Sequence, residues 1–203
     1  MKKILLMAAT LMLAPLFAQA AQYQEGTHYS EIKGASKTAK PEIKEYFSFF
    51  CPHCFQFSQT VLPKLKKNLP QGVVFKDSHV DFIGGPMGKE LTRAFAVAEQ
   101  LNVQAKMTKA LFTAIHVKRQ RLVNADDVRK IFIANGVAAK DYDSALSSFM
   151  VNARVRQMER DARDAQITGV PDLVVNGKYK IEKGAIKSWD EYVAIAYWVA
   201  KNK

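Results

Sequence analysis

Cys51 and Cys54 are the only cysteines among the 203 residues, and they stand three positions apart. A disulfide closing so short a loop removes little chain entropy, about 2 kcal/mol against about 4.7 kcal/mol for a loop of 100 residues. The pair is a poor staple, so its purpose is chemical. The reactive form of cysteine is the thiolate, and a helix N-terminus favours it by presenting free N–H groups and the positive end of the helix dipole. Pro52 suits the first position of a helix, so Cys51 is expected where the helix begins, with Cys54 one turn later on the same face. Pro52 and His53 fill the gap and are expected to tune the pair. A protonated His53 would place positive charge beside Cys51 and favour its thiolate, whereas the bland alternative is an exposed polar filler.

Other uses of a Cys-x-x-Cys pair fit poorly. A structural zinc site needs two further ligands, and there is no second cysteine pair, while His28, His79 and His116 are scattered along the chain. Haem attachment requires histidine directly after the second cysteine, and here that residue is Phe55. No metal and no cofactor is expected.

Glu45 is the other residue with chemical potential. Strand alternation puts it on one face with Ile43, Phe47 and Phe49, an acid among hydrophobes. Burial there disfavours the carboxylate, raises its pKa and makes Glu45 a candidate to exchange protons with Cys54 when the disulfide opens or closes. The alternative is an edge-strand glutamate reaching solvent.

The elements that must position these groups follow from hydrophobic periodicity. Glu42 to Phe50 is rich in aromatic and β-favouring residues and reads as a strand running straight into Cys51. Phe57, Val61, Leu65 and Leu69 then mark one face of a helix, in which Pro63 predicts a kink. A second strand is predicted from Val73 to Phe82, closed by Gly84-Gly85-Pro86. A run of helices follows. Their apolar stripes include Met87, Leu91 and Phe95, then Met107, Leu111 and Ile115, then a helix capped by Asn124 and stopped at Gly136, then two more around Tyr142 and Val155. The strand signal returns at Val170 to Val175, Asn176-Gly177 predicts a two-residue hairpin into Lys178 to Ile181, and a last helix starts at Ser188. This order describes an α/β protein whose sheet domain, residues 21–83 and 164–203, is interrupted by an all-helical insertion over 84–163.

Ahead of these elements, Lys2 and Lys3 precede an apolar run from Ile4 to Phe17 that ends in Ala18-Gln19-Ala20. This is the pattern of a secretory signal peptide over residues 1–20, cleaved after Ala20. The run falls short of the roughly 20 apolar residues of a membrane span, so an uncleaved anchor is the lesser alternative and the mature protein is expected to be soluble. A hydrophobic fraction of 48% with 10 Gly and 7 Pro argues against disorder. The formal charge of +11 is strongly basic, but much of it alternates with acids along helices, as in Arg154, Arg156, Glu159, Arg160 and Asp161, the pattern of a solvated face. The densest cluster, Lys118, Arg119 and Arg121, falls in a predicted loop. No nucleic-acid-binding signature accompanies it.

The stretch Phe47-Ser48-Phe49-Phe50-Cys51-Pro52-His53-Cys54, with Gly169-Val170-Pro171 later in the chain, resembles the DsbA family of bacterial periplasmic thiol:disulfide oxidoreductases. The resemblance extends over nearly the whole mature chain, through Phe82-Ile83-Gly84-Gly85 and Val175-Asn176-Gly177-Lys178-Tyr179. It implies a thioredoxin fold with a helical insertion. It implies further that Pro171 is cis and faces the active-site disulfide of Cys51 and Cys54, beside Val170, whose backbone pairs with an extended substrate segment. Glu45, six residues before the first cysteine, matches the family's buried acid. Two positions depart from the pattern: Ser58 stands where some relatives carry a second acid, and Asp77 or Lys76 falls near their lysine.

The expected activity is oxidation of reduced, newly exported proteins through a mixed disulfide in the periplasm, by a monomer that a DsbB-like quinone-linked membrane protein reoxidises. A disulfide isomerase or reductase is the nearest alternative, but related isomerases add a dimerisation module and nothing before Glu42 is long enough to be one. A non-catalytic secreted metal-binding protein is the more remote one.

Overall fold

The computed structural model describes residues 22–203, so the signal-peptide reading of residues 1–20 lies outside the described residues. At its centre is strand β2 (Glu42–Phe47), buried on both faces apart from Lys44. Such a strand needs neighbours on both edges, and it has them: β3 (Val74–His79) runs parallel on one side and β4 (Asp172–Val175) antiparallel on the other. Beyond β4 come β5 (Tyr179–Ile181) and the edge strand β1 (Tyr29–Glu31), giving the order β1-β5-β4-β2-β3. Strand β1 was not among the predicted elements, because three residues carry too little alternation to register.

The β4–β5 hairpin turns where Asn176-Gly177 predicts it. Both residues have positive φ, 53° and 68°, as the tightest two-residue turn requires. The position is also crowded, since a Cβ on Gly177 would lie 3.0 Å from Thr38 Cγ2.

Helix α1 (Pro52–Thr60) breaks at Val61 and continues as α2 (Leu62–Lys67), the kink expected from Pro63. Between β3 and β4 come α3 (Pro86–Gln100), α4 (Gln104–Phe112), a π-helical turn over Thr113–Val117, α5 (Ala125–Ala134), α6 (Ala139–Leu146) and α7 (Phe149–Asp164). Asn124 caps α5 through its side chain, and Gly136, with φ of 79°, follows its end. The chain closes with α8 (Trp189–Asn202), capped by Ser188 Oγ.

The two faces of the sheet are covered differently. Ile43, Leu173 and Val175 pack with Phe57 and Leu65 of the active-site helices and with Tyr192, Ile195 and Val199 of α8. Tyr46 and Val174, on the opposite face, pack with Ala162 and Ala165 at the end of α7. There Lys44 Nζ lies 2.9 Å from Asp161, and the Tyr46 hydroxyl donates to the Asp161 carbonyl at 3.2 Å. The helical segment has its own core around Leu91, Phe95, Met107, Leu111 and Phe132, and Phe47, Phe49, Cys51 and Cys54 belong to it. The cysteines therefore sit where sheet and helical insertion meet.

The strands are shorter than expected: β4 begins at Asp172 rather than Val170, β3 and β5 each begin one residue late, and two strands end three residues early. The strand predicted to reach Phe50 ends at Phe47, because the Cys51 N–H donates to the Ser48 carbonyl at 3.1 Å and closes a turn in between. The strand predicted from Val73 to Phe82 ends at His79, since the chain must bend away to enter α3.

Candidate active site

The turn Ser48–Cys51 delivers the first cysteine to the start of α1. Cys51 is the N-cap residue, in extended conformation, and its Sγ accepts the Cys54 N–H at 3.2 Å. A sulfur so placed takes the role that a serine or aspartate oxygen plays at other helix starts, with the difference that a thiolate gains more from it. Both cysteines are in the dithiol form; Cys51 is 6% exposed and Cys54 wholly enclosed. Pro52 and His53, between them, are exposed.

This asymmetry separates the two sulfurs. The Cys51 thiol is lowered from 9.0 to about 6, first by its hydrogen bond with the Cys54 side chain, then by the N–H groups of Cys54 and His53, with the His53 imidazole adding electrostatically and burial opposing. The Cys54 thiol moves the other way, pushed far up by burial and by its bond to Cys51. One sulfur is prepared to leave as an anion, and the other must be protonated.

Facing Cys51 is the loop before β4. The Val170–Pro171 peptide bond is cis, and the Cys51 thiol lies 3.4 Å from the Val170 carbonyl, to which it donates. The loop is anchored from behind by Lys183, whose Nζ donates to the Pro171 carbonyl at 2.9 Å. Residues 119 positions apart in the chain thus meet at the sulfur.

Glu45 is 2% exposed. Burial raises its pKa well above the ordinary carboxylate value, the neighbouring Asp77 adds to this, and Lys66 opposes it. The β2–β3 register explains the neighbour: Glu45 lies opposite Asp77, while Lys76 lies opposite Lys44 and reaches Glu42 at 2.6 Å. Of Lys76 and Asp77, the one on the Glu45 face is therefore the acid. The positive charge comes instead from α2, where Lys66 Nζ is 3.3 Å from Asp77, and Gln104 Nε2 donates to the same carboxylate at 2.9 Å. Ser58 turns its hydroxyl back to the Phe55 carbonyl at 2.7 Å. Glu45, Ser58, Lys66, Asp77 and Gln104 line a cavity of about 390 Å³ between the sheet and α4, open to solvent on one side.

Two histidines that read as scattered in the sequence come together here. The Phe49 N–H donates to His79 Nε2 at 3.1 Å, and His116 Nε2 donates to the Phe49 carbonyl at 2.7 Å. His116 is carried by the π-helical turn, and its ring stacks on Phe55 with centroids 5.0 Å apart and planes 9° from parallel. Sequence reasoning missed both, because no motif links positions so far apart; the only local sign was a polar residue inside each hydrophobic stretch. Phe50, next in the turn, packs so closely on Gly84 that a Cβ there would collide with its ring. His28 lies elsewhere, with its Nδ1 accepting the Gln24 N–H.

A Cys-x-x-Cys pair at a helix N-terminus, set against a cis-proline loop on a mixed five-stranded sheet, defines a thioredoxin-fold thiol:disulfide oxidoreductase. The chain belongs to the DsbA-like thioredoxin domain family, whose model matches residues 42–192. It is 45% identical over 183 residues to the thiol:disulfide interchange protein DsbA of Escherichia coli, an alignment covering 89% of this chain and 86% of that protein. Among solved structures, DsbA from Proteus mirabilis superposes with a TM-score of 0.78 at 41% identity, covering 89% of this chain and 96% of that one. DsbA from Pseudomonas aeruginosa gives a TM-score of 0.78 at 27% identity, with 89% and 94% covered. A further Proteus mirabilis DsbA structure, with a TM-score of 0.79, 40% identity and 89% and 97% covered, holds a non-covalently bound peptide, PWATCDS. The fold expected from the sequence, α/β with a helical insertion, is the fold found, and the protein is a disulfide oxidoreductase working through Cys51 and Cys54.

Proposed function

We propose that the protein acts as a dithiol oxidase of newly exported proteins, donating the Cys51–Cys54 disulfide to them. A substrate thiolate attacks Cys51 Sγ, the bond to Cys54 breaks, and Cys54 leaves as a thiolate. Its high proton affinity requires a proton, and Glu45, whose pKa burial and the neighbouring Asp77 raise well above the ordinary carboxylate value, supplies it. A second substrate thiolate then attacks the substrate sulfur of the mixed disulfide and expels Cys51 as a thiolate. The substrate has lost two electrons and the protein has gained them. The observation that carries this direction is the seating of Cys51 Sγ at the N-cap of α1, where it accepts the Cys54 N–H: a stabilised leaving thiolate departs faster and makes the reduced protein the favoured product. Pro52 and His53 tune that sulfur by setting the helix start and adding charge.

The loop of Val170 and Pro171 lies against Cys51 and offers backbone to an extended client segment. A cysteine-containing peptide bound to the Proteus mirabilis relative supports this role. The working compartment is the periplasm, reached through the signal peptide of residues 1–20. The dithiol is returned to the disulfide by a DsbB-like quinone-linked membrane protein. Residues 21–83 and 164–203 form the catalytic unit, and the insertion of 84–163 covers it.

Equilibrating the purified protein with a glutathione buffer tests the direction. An oxidase is reduced by very little glutathione, whereas a disulfide that survives strongly reducing buffer identifies a reductase and overturns the proposal. Cys54→Ser, incubated with a peptide whose cysteine is held in a disulfide, should accumulate a mixed disulfide through Cys51 as the Cys51 thiolate attacks that bond and the displaced thiol is released, visible by mass spectrometry; a complex formed through any other residue is the contrary result.

A further inference from the structure

The turn Ser48–Cys51 poses a problem of hydrogen bonding. Its closing bond uses the Cys51 N–H and the Ser48 carbonyl, and the Phe50 N–H is taken by Ser48 Oγ at 3.3 Å. Both polar groups of Phe49 remain, on a residue that is wholly buried. Left alone, each would be a buried polar group without a partner, which is costly. The turn that carries the reactive cysteine therefore depends on what meets Phe49.

Two side chains meet it, one from the sheet and one from the insertion. His79, at the end of β3, accepts the Phe49 N–H through Nε2, so it must carry its own proton on Nδ1. Its Nδ1 lies 2.7 Å from Thr92 Oγ1, and the Thr92 hydroxyl donates onward to the Gly88 carbonyl at 3.1 Å. Each group in this chain has one role, which fixes the tautomer and the ring. Burial keeps His79 neutral, with its pKa lowered to about 3, so it stays an acceptor. From the other side, His116 donates to the Phe49 carbonyl. It does so from a π-helical turn, where one extra residue per turn re-aims the side chains that follow, and such turns are frequent at functional sites. Stacking on Phe55, the residue after Cys54, holds the ring flat beside the active-site helix.

We propose that His79 and His116 are positioning residues for Cys51, gripping the two polar groups of Phe49 and so fixing the turn that presents the sulfur to the start of α1. His116 is the half supplied by the helical insertion, and through it the seating of the insertion controls how well Cys51 Sγ is aligned with the Cys54 N–H. The inference rests on the reading of Cys51 as the reactive sulfur.

The test is titration of the Cys51 thiolate by its ultraviolet absorbance in the reduced protein, in the parent, in His116→Leu and in His116→Gln. Leucine removes the donor, while glutamine keeps an N–H able to reach the carbonyl. The leucine variant should move the ionisation midpoint upward by about half a pH unit or more, a threefold loss of thiolate stability, and glutamine should restore most of it. A leucine curve that overlays the parent, whatever happens to its melting temperature, overturns the proposal, as does a glutamine variant shifted as far as leucine. His116 is only half-buried, so the leucine variant is expected to fold. Should it not, exchange of the His116 Nε2 proton in the parent decides the matter: slow exchange supports the grip and fast exchange refutes it. A parent that ionises only in alkaline buffer would sink the reading of Cys51 itself, which is a separate result.

Discussion

Lowering the pH should remove the preference of this protein for its reduced form, by an amount that the thiol geometry sets. The Cys51 thiol titrates at about 6 when folded, against 9.0 for an ordinary thiol. A group whose folded pKa is depressed stabilises the folded state above the unfolded value and loses that contribution as pH falls through the folded one. Cys54, pushed upward by burial, stays protonated in folded and unfolded chains alike over this range and contributes nothing to the slope. The disulfide form has no thiol to titrate, and other ionisable groups largely cancel between the two forms. The stability of the dithiol form minus that of the disulfide form should therefore be flat below about pH 5 and should have risen by about 2 kcal/mol at pH 8, once solvent screening at the sulfur is allowed for. Urea unfolding of both forms at several pH values measures the difference directly. Two curves that run parallel to within about 0.5 kcal/mol from pH 5 to pH 8 would show that the thiolate is not stabilised by the fold.

Two other substitutions probe the surroundings. Because burial and Asp77 raise the Glu45 pKa, the folded protein holds a proton that the unfolded chain has lost, and stability falls as pH rises from about 4.5 toward the folded value. Glu45→Gln removes that fall, so the variant should match the parent near pH 4 and exceed it by about 1 kcal/mol or more at pH 7, while oxidising a reduced peptide more slowly; equal melting temperatures at both pH values would count against a buried, protonated Glu45. Gly84→Ala forces a methyl group into the Phe50 ring at a φ of 90°, which should cost about 1 to 3 kcal/mol in urea unfolding at unchanged m, and a neutral substitution would mean that Phe50 does not lie there.

What the sequence made legible is what local chemistry decides. Pro52 after Cys51, Asn124 and Ser188 before their helices, and Asn176-Gly177 between strands each act within four residues, so type and spacing suffice to place them. Glu45 was legible as an acid in an apolar strand, and its burial follows from the same pattern. The rest depends on partners distant in sequence. Strand β1 exists only because β5 lies beside it, Tyr29 opposite Ile181. Phe49 continues the alternation of β2 by type but leaves the strand, since the Cys51 N–H bonds back to the Ser48 carbonyl and closes a turn there. Lys66 supplies the charge beside Asp77 from a helix that no strand alignment would match to β3. His79 and His116 converge because β3 pairs with β2 and a π-helical turn re-aims one side chain, neither of which leaves a periodic trace.

The junction between Val170 and Cys51 has a consequence for biosynthesis. The cysteines leave the ribosome well over a hundred residues ahead of the segment that will face them, and a nine-residue helix is too short to persist in water on its own. A nascent or truncated chain ending before β4 therefore carries two unremarkable thiols, with neither the low proton affinity of one nor the enclosure of the other. Reactivity is a latent property that switches on only when the last sixth of the polypeptide closes the sheet, which leaves the unfinished molecule with ordinary thiols while it folds.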